Sequence, residues 1–191
     1  MSEIQGFETA RLLLRGVTEA DAPSIQKHFN NYAVIRDLAA VVPWPYPADG
    51  AIDFVRNHVL PEQARDRWVW GMFLKATPQM LIGIIDLRRS DTVENRGFWL
   101  AQEYWGQGLM TEATTAITDY AFGALGFERL ILSNALGNIR SRRIKEKAGA
   151  VFLRNEPAAF VNPDVTEREV WELTKSGWAK RYSAGAKEAL A

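Results

Sequence analysis

Residues 103 to 122, EYWGQGLMTEATTAITDYAF, place Gly106 and Gly108 one residue apart, behind an aromatic pair and ahead of a helix-forming run. The first turn of a helix exposes N–H groups with no internal partner and carries partial positive charge. Glycines let the backbone bend sharply and approach a ligand closely. Together these features suit a phosphate, although the same turn also fits a plain strand-to-helix connection. Two other phosphate motifs do not fit. A P-loop ends in Gly-Lys-Ser/Thr, whereas Leu109 and Met110 follow Gly108. A dinucleotide fingerprint needs a third glycine, and residue 111 is Thr.

A second stretch, NALGNIRSRRIKEKAGA, offers Asn138 and Ser141. Asn138 suits the N-cap of a helix starting near Ile139, with Ser141 a polar residue in its first turn. The run Arg140 to Lys147 is dense in charge and reads first as a solvated helix face, at least in part.

Around these stretches the chain must build a scaffold. Its 191 residues suit one domain with a core of useful size. Lys plus Arg number 23 and so do Asp plus Glu, so no general attraction to nucleic acid or an anionic membrane is expected. The absence of cysteine excludes disulfides, cysteine nucleophiles and thiolate metal sites, and two histidines make a histidine-rich metal centre implausible. No metal is expected. The opening MSEIQGFETA lacks an apolar secretory core, and no stretch has membrane-spanning length, so a cytoplasmic protein is expected.

Arg11 to Arg15 reads as a strand, and Thr18 with Asp21 as a capping pattern before a helix to about Asn30. The proline-rich VVPWPYPADG reads as a loop, and residues 48 to 63 as a helix with Ile52, Val55 and Val59 at helical spacing. Strands follow at Trp68 to Leu74, Leu81 to Leu87 and Arg96 to Ala101, joined as antiparallel hairpins. After the glycine turn come a helix with Ala113, Ala116, Ile117 and Tyr120 on one face, a strand RLILSNA, a helix ending at Gly149, and strands AVFLRN and EREVWEL. The tail from Lys175 is expected to be weakly ordered. The sum is a mixed α/β domain of about seven strands and about four helices.

This order of elements, with these motifs, resembles the GNAT superfamily of acyl-CoA-dependent N-acyltransferases, and within it the branch of ribosomal-protein N-terminal (alanine/serine) acetyltransferases. The resemblance rests on TARLLLRGVTEADA, GFWLAQEYWGQGLMTEA, NALGNIRSRRIKEKAGA and REVWELT, and spans residues 9 to 174. Residues 1 to 8 then form an N-terminal extension and 175 to 191 a C-terminal tail. One departure is Glu103, where the superfamily's loop usually has Gln or Arg; its side chain must point away from a pyrophosphate.

The resemblance implies a largely antiparallel sheet, splayed at the middle and flanked by helices. It implies acetyl-CoA as co-substrate and direct transfer to a primary amine. Trp105, Gly106, Gln107, Gly108, Leu109, Met110 and Thr111 would cradle the pyrophosphate through backbone N–H groups. Trp99, Leu100 and Ala101 would offer a strand edge to the pantetheine arm, with an N–H near Leu100 meeting the carbonyl oxygen. Asn138 would contact the coenzyme arm or an ordered water. Ser141 would sit near the acetyl sulfur and protonate the departing thiolate, and Arg142 and Arg143 would meet the 3′-phosphate.

The attacking amine must be neutral. At pH 7 that costs roughly 1 kcal/mol for an α-amine of pKa ~8, and on the order of 4–5 kcal/mol for a lysine-like amine of pKa ~10.4. Base candidates are Asp86, Glu94 and Glu103, with Glu94 close to the position where the superfamily often places a base. Trp44 and Tyr46 offer flat contacts to an acceptor, with Asp86 beside them as a substrate contact, although the two aromatics could equally pin the loop. No acidic cluster suggests a polycation, which favours a peptide N-terminus such as that of a ribosomal protein. A small-molecule amine acceptor and a non-catalytic acyl-CoA-binding regulator are the alternatives. The expected assembly is a monomer or homodimer.

Overall fold

The computed structural model describes residues 4 to 90 and 94 to 180. Its centre is a pair of long strands, β3 (Arg67–Leu74) and β4 (Thr77–Arg88), paired antiparallel. In β3 the side chains alternate between two cores: Trp68, Trp70 and Met72 enter one, Val69 and Phe73 the other. Burial on both faces explains why WVWGMFL is apolar without interruption.

Strands β1 (Phe7–Glu8) and β2 (Leu12–Gly16) extend the sheet on one side, and β5 (Arg96–Leu100) ends it on the other, in the order β1-β2-β3-β4-β5. A second sheet runs β6-β8-β7, from β6 (Arg129–Ala135), β7 (Val151–Pro157) and β8 (Glu167–Thr174). All of these pairings are antiparallel. The mixed α/β class and the mid-sheet break are as expected from the sequence. The two-residue β1 is an addition.

One core packs α4 (Leu109–Phe122) against the sheets through Leu109, Met110, Ala113, Ile117 and Ala121. The other packs α1 (Ala22–Phe29), α2 (Tyr32–Ile35) and α3 (Gly50–Asp53) on the opposite face. The helix expected over 48 to 63 is α3 followed by a π-helical turn, Phe54–Val59, and it buries Ala51, Val55 and Val59 rather than Ile52. Helix α5 (Ile139–Ala148) stops at Gly149, whose φ of 80° is left-handed.

The tail was expected to be weakly ordered from Lys175, yet residues 175 to 180 are helical. There Trp178 is buried and donates its indole N–H to Asp119 Oδ1 at 2.7 Å. Residues 181 to 191 lie outside the described residues. Among the described residues, no helix is long and apolar enough to cross a membrane.

The Thr18–Asp21 pattern is a strong local device. Asp21, 4% exposed, takes Arg15 Nη1 and Nη2 at 2.9 and 2.8 Å and the Thr18 N–H at 2.9 Å. Burial alone would raise the carboxyl's pKa, but these bonds from Arg15 and Thr18 outweigh it and hold the group below the usual range. A depressed folded-state pKa contributes stability above the unfolded value, and that stability is lost as pH falls through the folded value. Asp21→Asn should therefore cost about 2 kcal/mol at neutral pH. In urea melts the gap between variant and parent should narrow as both are taken toward pH ~3.

Candidate active site

Strands β5 and β6 make no continuous ladder. They are pinned at one end, where the Asn95 N–H donates to Ile131 O at 2.7 Å and the Ile131 N–H to Asn95 Oδ1 at 2.6 Å. Beyond that pin they diverge, and a cleft of about 660 Å³ opens between Gly97 to Leu100 on one side and Ser133 to Ala135 on the other. On β5, the Ala101 N–H bonds to Ile82 O across β4 at 2.8 Å. Backbone groups alternate along a strand, so the N–H groups of Phe98 and Leu100 face the open edge. Leu100 O there accepts the Trp105 indole N–H at 2.7 Å.

The turn into α4 forms one end of the cleft. A short 3-10 turn, Gln102–Tyr104, spends the Trp105 N–H on Gln102 O at 3.1 Å. From residue 106 to residue 111 no N–H has a partner within the described residues, and the first bond of the helix is Glu112 N–H to Gly108 O at 3.0 Å. Gly106 and Gly108 have φ of 76° and 75°, a backbone that glycine adopts without strain. A latch holds the turn in shape: Arg11 donates to Gln107 O at 2.9 Å and to Glu112 Oε2 at 2.7 Å, and Thr9 donates to Glu112 Oε1 at 2.5 Å. Glu103 points away from the turn, to His28 Nδ1 at 3.2 Å on α1. The departure from the usual loop sequence therefore puts no carboxylate among the free N–H groups.

Helix α5 lines the opposite wall. Asn138 caps it, its Oδ1 accepting the Ser141 N–H at 3.2 Å, and also lines the cleft. Ser141 is 9% exposed and lines the cleft, with its Oγ accepting from Lys145 Nζ at 2.9 Å. Arg140, Arg143 and Lys147 sit on the cleft face of the helix, and the Arg140 guanidinium lies 4.0 Å over the Trp105 ring.

Near the pin, Glu94 accepts a very short hydrogen bond from the Ser133 hydroxyl and lines the cleft. Beneath it Arg96 is 3% exposed, bound through Nη1 to Thr118 Oγ1 at 2.9 Å. Burial pulls the Arg96 pKa down to about 10 against the raising effect of Glu94. The far end of the cleft is closed by the segment after α2 and the β7–β8 loop. These are stitched together by Ala40 N–H to Ala159 O at 3.0 Å and Val161 N–H to Leu38 O at 3.0 Å.

Of the residues singled out from the sequence, Glu94, Trp99, Leu100, Trp105, Gly106, Gly108, Leu109, Met110, Thr111, Asn138, Ser141 and Arg143 line this one cleft. Others do not join it. Ala101 spends its N–H on β4, and Gln107 bonds back to Glu103 O at 3.0 Å. Arg142 turns to Glu146 and Glu169 at 2.9 and 3.3 Å. Asp86 is gripped by Arg67 and Arg88 at 2.7 and 2.6 Å on the sheet, away from the cleft. Trp44 packs at a tilt against Tyr32 and Tyr46 edge-to-face against Phe29, so the wall they were expected to form comes instead from Ala33, Val34, Asp37, Leu38 and Ala39.

Sequence reasoning missed Ser133 and Lys145 and, on the cationic face of α5, named Arg143 but not Arg140 or Lys147. The spacing 140, 143, 147 was a signal for that face, since those positions share one side of a helix and 142 does not.

A family model described as Acetyltransferase (GNAT) domain matches residues 11–151. "Putative ribosomal N-acetyltransferase YdaF" of Bacillus subtilis is 33% identical over 104 residues, a match covering 51% of this chain and 56% of that protein. A second relative, "Uncharacterized N-acetyltransferase YoaA" of the same organism, is 27% identical over 75% of this chain and 81% of its own length. Among solved structures, the ribosomal-protein-S5-alanine acetyltransferase of Vibrio fischeri superposes with a TM-score of 0.76 at 18% identity, over 92% of this chain and 99% of that one. RimL, a ribosomal L7/L12 α-N-protein acetyltransferase solved with coenzyme A, gives 0.73 at 17% identity, over 91% and 98%. These two likenesses speak to the fold.

Proposed function

The chain belongs to the GNAT acetyltransferase family, and from that premise we propose that it acetylates the free N-terminal α-amine of a protein, of the ribosomal-protein kind, with acetyl-CoA as donor. One observation carries the reading. The run of unpartnered N–H groups at the start of α4 opens into the same cleft as the Glu94–Ser133 pair and Ser141. The first feature suits a diphosphate, the second an amine proton, and the third a leaving thiolate.

The residues present fit the coenzyme. Left-handed Gly106 and Gly108 leave the free N–H groups uncovered, and Arg140, Arg143 and Lys147 add positive charge on the same side. When bound, the thioester supplies an activated acyl carbon. The chain's own groups do the rest. The open edge at Phe98 and Leu100 holds the arm, and a Leu100 N–H faces the developing oxyanion. Glu94, through Ser133 or a water, takes the amine proton. Ser141 Oγ gives a proton to sulfur.

The acceptor end supports an α-amine over a polycation. Its lining is mostly Ala33, Val34, Leu38, Ala39, Ala158 and Phe160, and the only acidic residues along the whole cleft are Asp37 and Glu94, among the described residues. A single carboxylate pair can deprotonate an α-amine, which needs roughly 1 kcal/mol at pH 7, more readily than a lysine-like amine. Calorimetry with acetyl-CoA, then free-thiol release over a panel of amines, tests the reading. Peptides beginning with free Ala or Ser should exceed spermidine, aminoglycosides and N-blocked lysine peptides by at least about tenfold in kcat/KM. A small amine as the best acceptor would reassign the substrate. Binding with no thiol release across the panel would make the chain a coenzyme-binding regulator.

A further inference from the structure

Lys145 is a buried lysine that the reaction as described leaves unused. It lies four residues after Ser141 on α5, so the two side chains share a face. Its side chain is 1% exposed, and Nζ donates to Ser141 Oγ at 2.9 Å and to Ser141 O at 3.4 Å. The charged groups around it come from three elements. Arg96 lies on β5 with Glu94 just before it, Glu169 lies on β8, and Arg142 on α5 is held at Glu169. From α4 comes Thr118, which is not titratable and is bonded to Arg96. The Phe98 ring is 5.8 Å from Nζ. Among the described residues, Lys145 forms no ion pair with a carboxylate. A buried ammonium without an ion pair costs stability, so packing does not account for it; a leucine would fill the same place.

Hydrogen-bond inventory gives it a task. An ammonium has three donors and no acceptor, whereas a serine hydroxyl has one donor and two acceptor lone pairs. Ser141 Oγ therefore accepts from Lys145, and its single proton must point elsewhere. Ser141 lines the cleft, so the cleft is open to that proton.

We propose that Lys145 is a positioning residue that locks Ser141 Oγ as a donor into the cleft and places positive charge behind the departing sulfur. The proposal rests on the reading of the cleft as an acetyl-CoA site. The amine nitrogen bonds to the acyl carbon, the C–S bond breaks, and its electron pair goes to sulfur. Sulfur takes the Ser141 proton, and Ser141 takes one from Lys145 Nζ. The amine proton leaves through Glu94 to solvent, and Lys145 regains a proton from solvent. The sum is thioester plus amine giving amide plus thiol.

The geometry sets a pH dependence. Burial, then Arg96, lowers the Lys145 pKa against the raising effects of Glu94 and Glu169, to about 7. Neutral Lys145 can accept the Ser141 proton, which turns the hydroxyl away from the cleft. Turnover should then fall as pH rises through that value.

The test uses coenzyme A itself, whose bound thiol can be titrated by thiolate absorbance with no acceptor present. In the parent protein the bound thiol should ionise about one pK unit, or tenfold, more readily than in Lys145→Met. Ser141→Ala, which keeps the Lys145 charge, should lose part of that difference, and the double variant should lose at least as much as Lys145→Met. Equal thiol titration in parent and Lys145→Met overturns the proposal. If Lys145→Met does not fold by circular dichroism, Lys145→Arg replaces it. The arginine keeps the donor without titrating, so the decline at high pH should vanish while kcat stays within about threefold. A decline in Lys145→Arg at the same pH as in the parent also overturns the proposal. Failure of the parent to bind coenzyme A sinks the coenzyme reading itself, whereas binding with an unaltered thiol sinks only the role of Lys145.

Discussion

Gly108→Val should weaken acetyl-CoA binding by at least about 100-fold, or about 2.8 kcal/mol. Two effects combine. At φ 75° an L-residue is strained by roughly 1–2 kcal/mol, and a β-branched residue by more. A Cβ there would already stand in contact with Arg11 Nη2 at 3.6 Å, so the larger valine must share its space with the latch that shapes the turn. The added methyls would stand beside N–H groups that must come within hydrogen-bond distance of a ligand. Gly126→Ala is the control. Gly126 is also left-handed, at 67°, has nothing within 4 Å of a built Cβ and lies outside the cleft. It should lower the melting temperature and leave coenzyme affinity within about twofold. Calorimetry on the two variants separates strain from site damage. Full affinity in Gly108→Val would remove the α4 turn from the binding site.

Ser141→Ala should lower kcat by about 10- to 100-fold and leave the KM for acetyl-CoA within about twofold. A positioned general acid is worth about 10²–10⁴ in rate, and the low end applies here because a thiol of pKa ~8.5 is already a fair leaving group. The substitution also strips Lys145 of its acceptor at 2.9 Å, which should cost about 1–3 kcal/mol of stability. Turnover must therefore be measured well below the melting transition, with active enzyme counted by coenzyme titration. A loss below threefold would remove Ser141 from proton transfer.

Much of the candidate site is legible in the sequence, because it is local. The paired glycines and the helix behind them form one continuous stretch, and the Asn138 cap with Ser141 three residues on forms another. Backbone rules act within such stretches, so the free N–H groups and the cap stand where expected. The uninterrupted run in β3 and the Thr18–Asp21 pattern were legible for the same reason.

What was lost depends on partners far away in sequence. Asp86 read as a free carboxylate until Arg67, 19 residues away, and Arg88 closed on it. Trp44 and Tyr46 read as a substrate wall until each found an aromatic neighbour. Lys145 sat in a run of charges that reads as solvated, and only the tertiary packing of α5, against α4 and β6 among other elements, buries it. The tail failed on composition. Its small polar residues predict little order, but Trp178 docks the start of that segment on α4, and Lys175 ties it to Glu128.

The stitch between the segment after α2 and the β7–β8 loop has a consequence for access. It roofs the acceptor end of the cleft without covering the α4–α5 end, where the glycine turn and the cationic face lie. On the proposed reading, the coenzyme therefore enters at the α4–α5 end, with its acyl group carried toward the roofed end where the acceptor meets it.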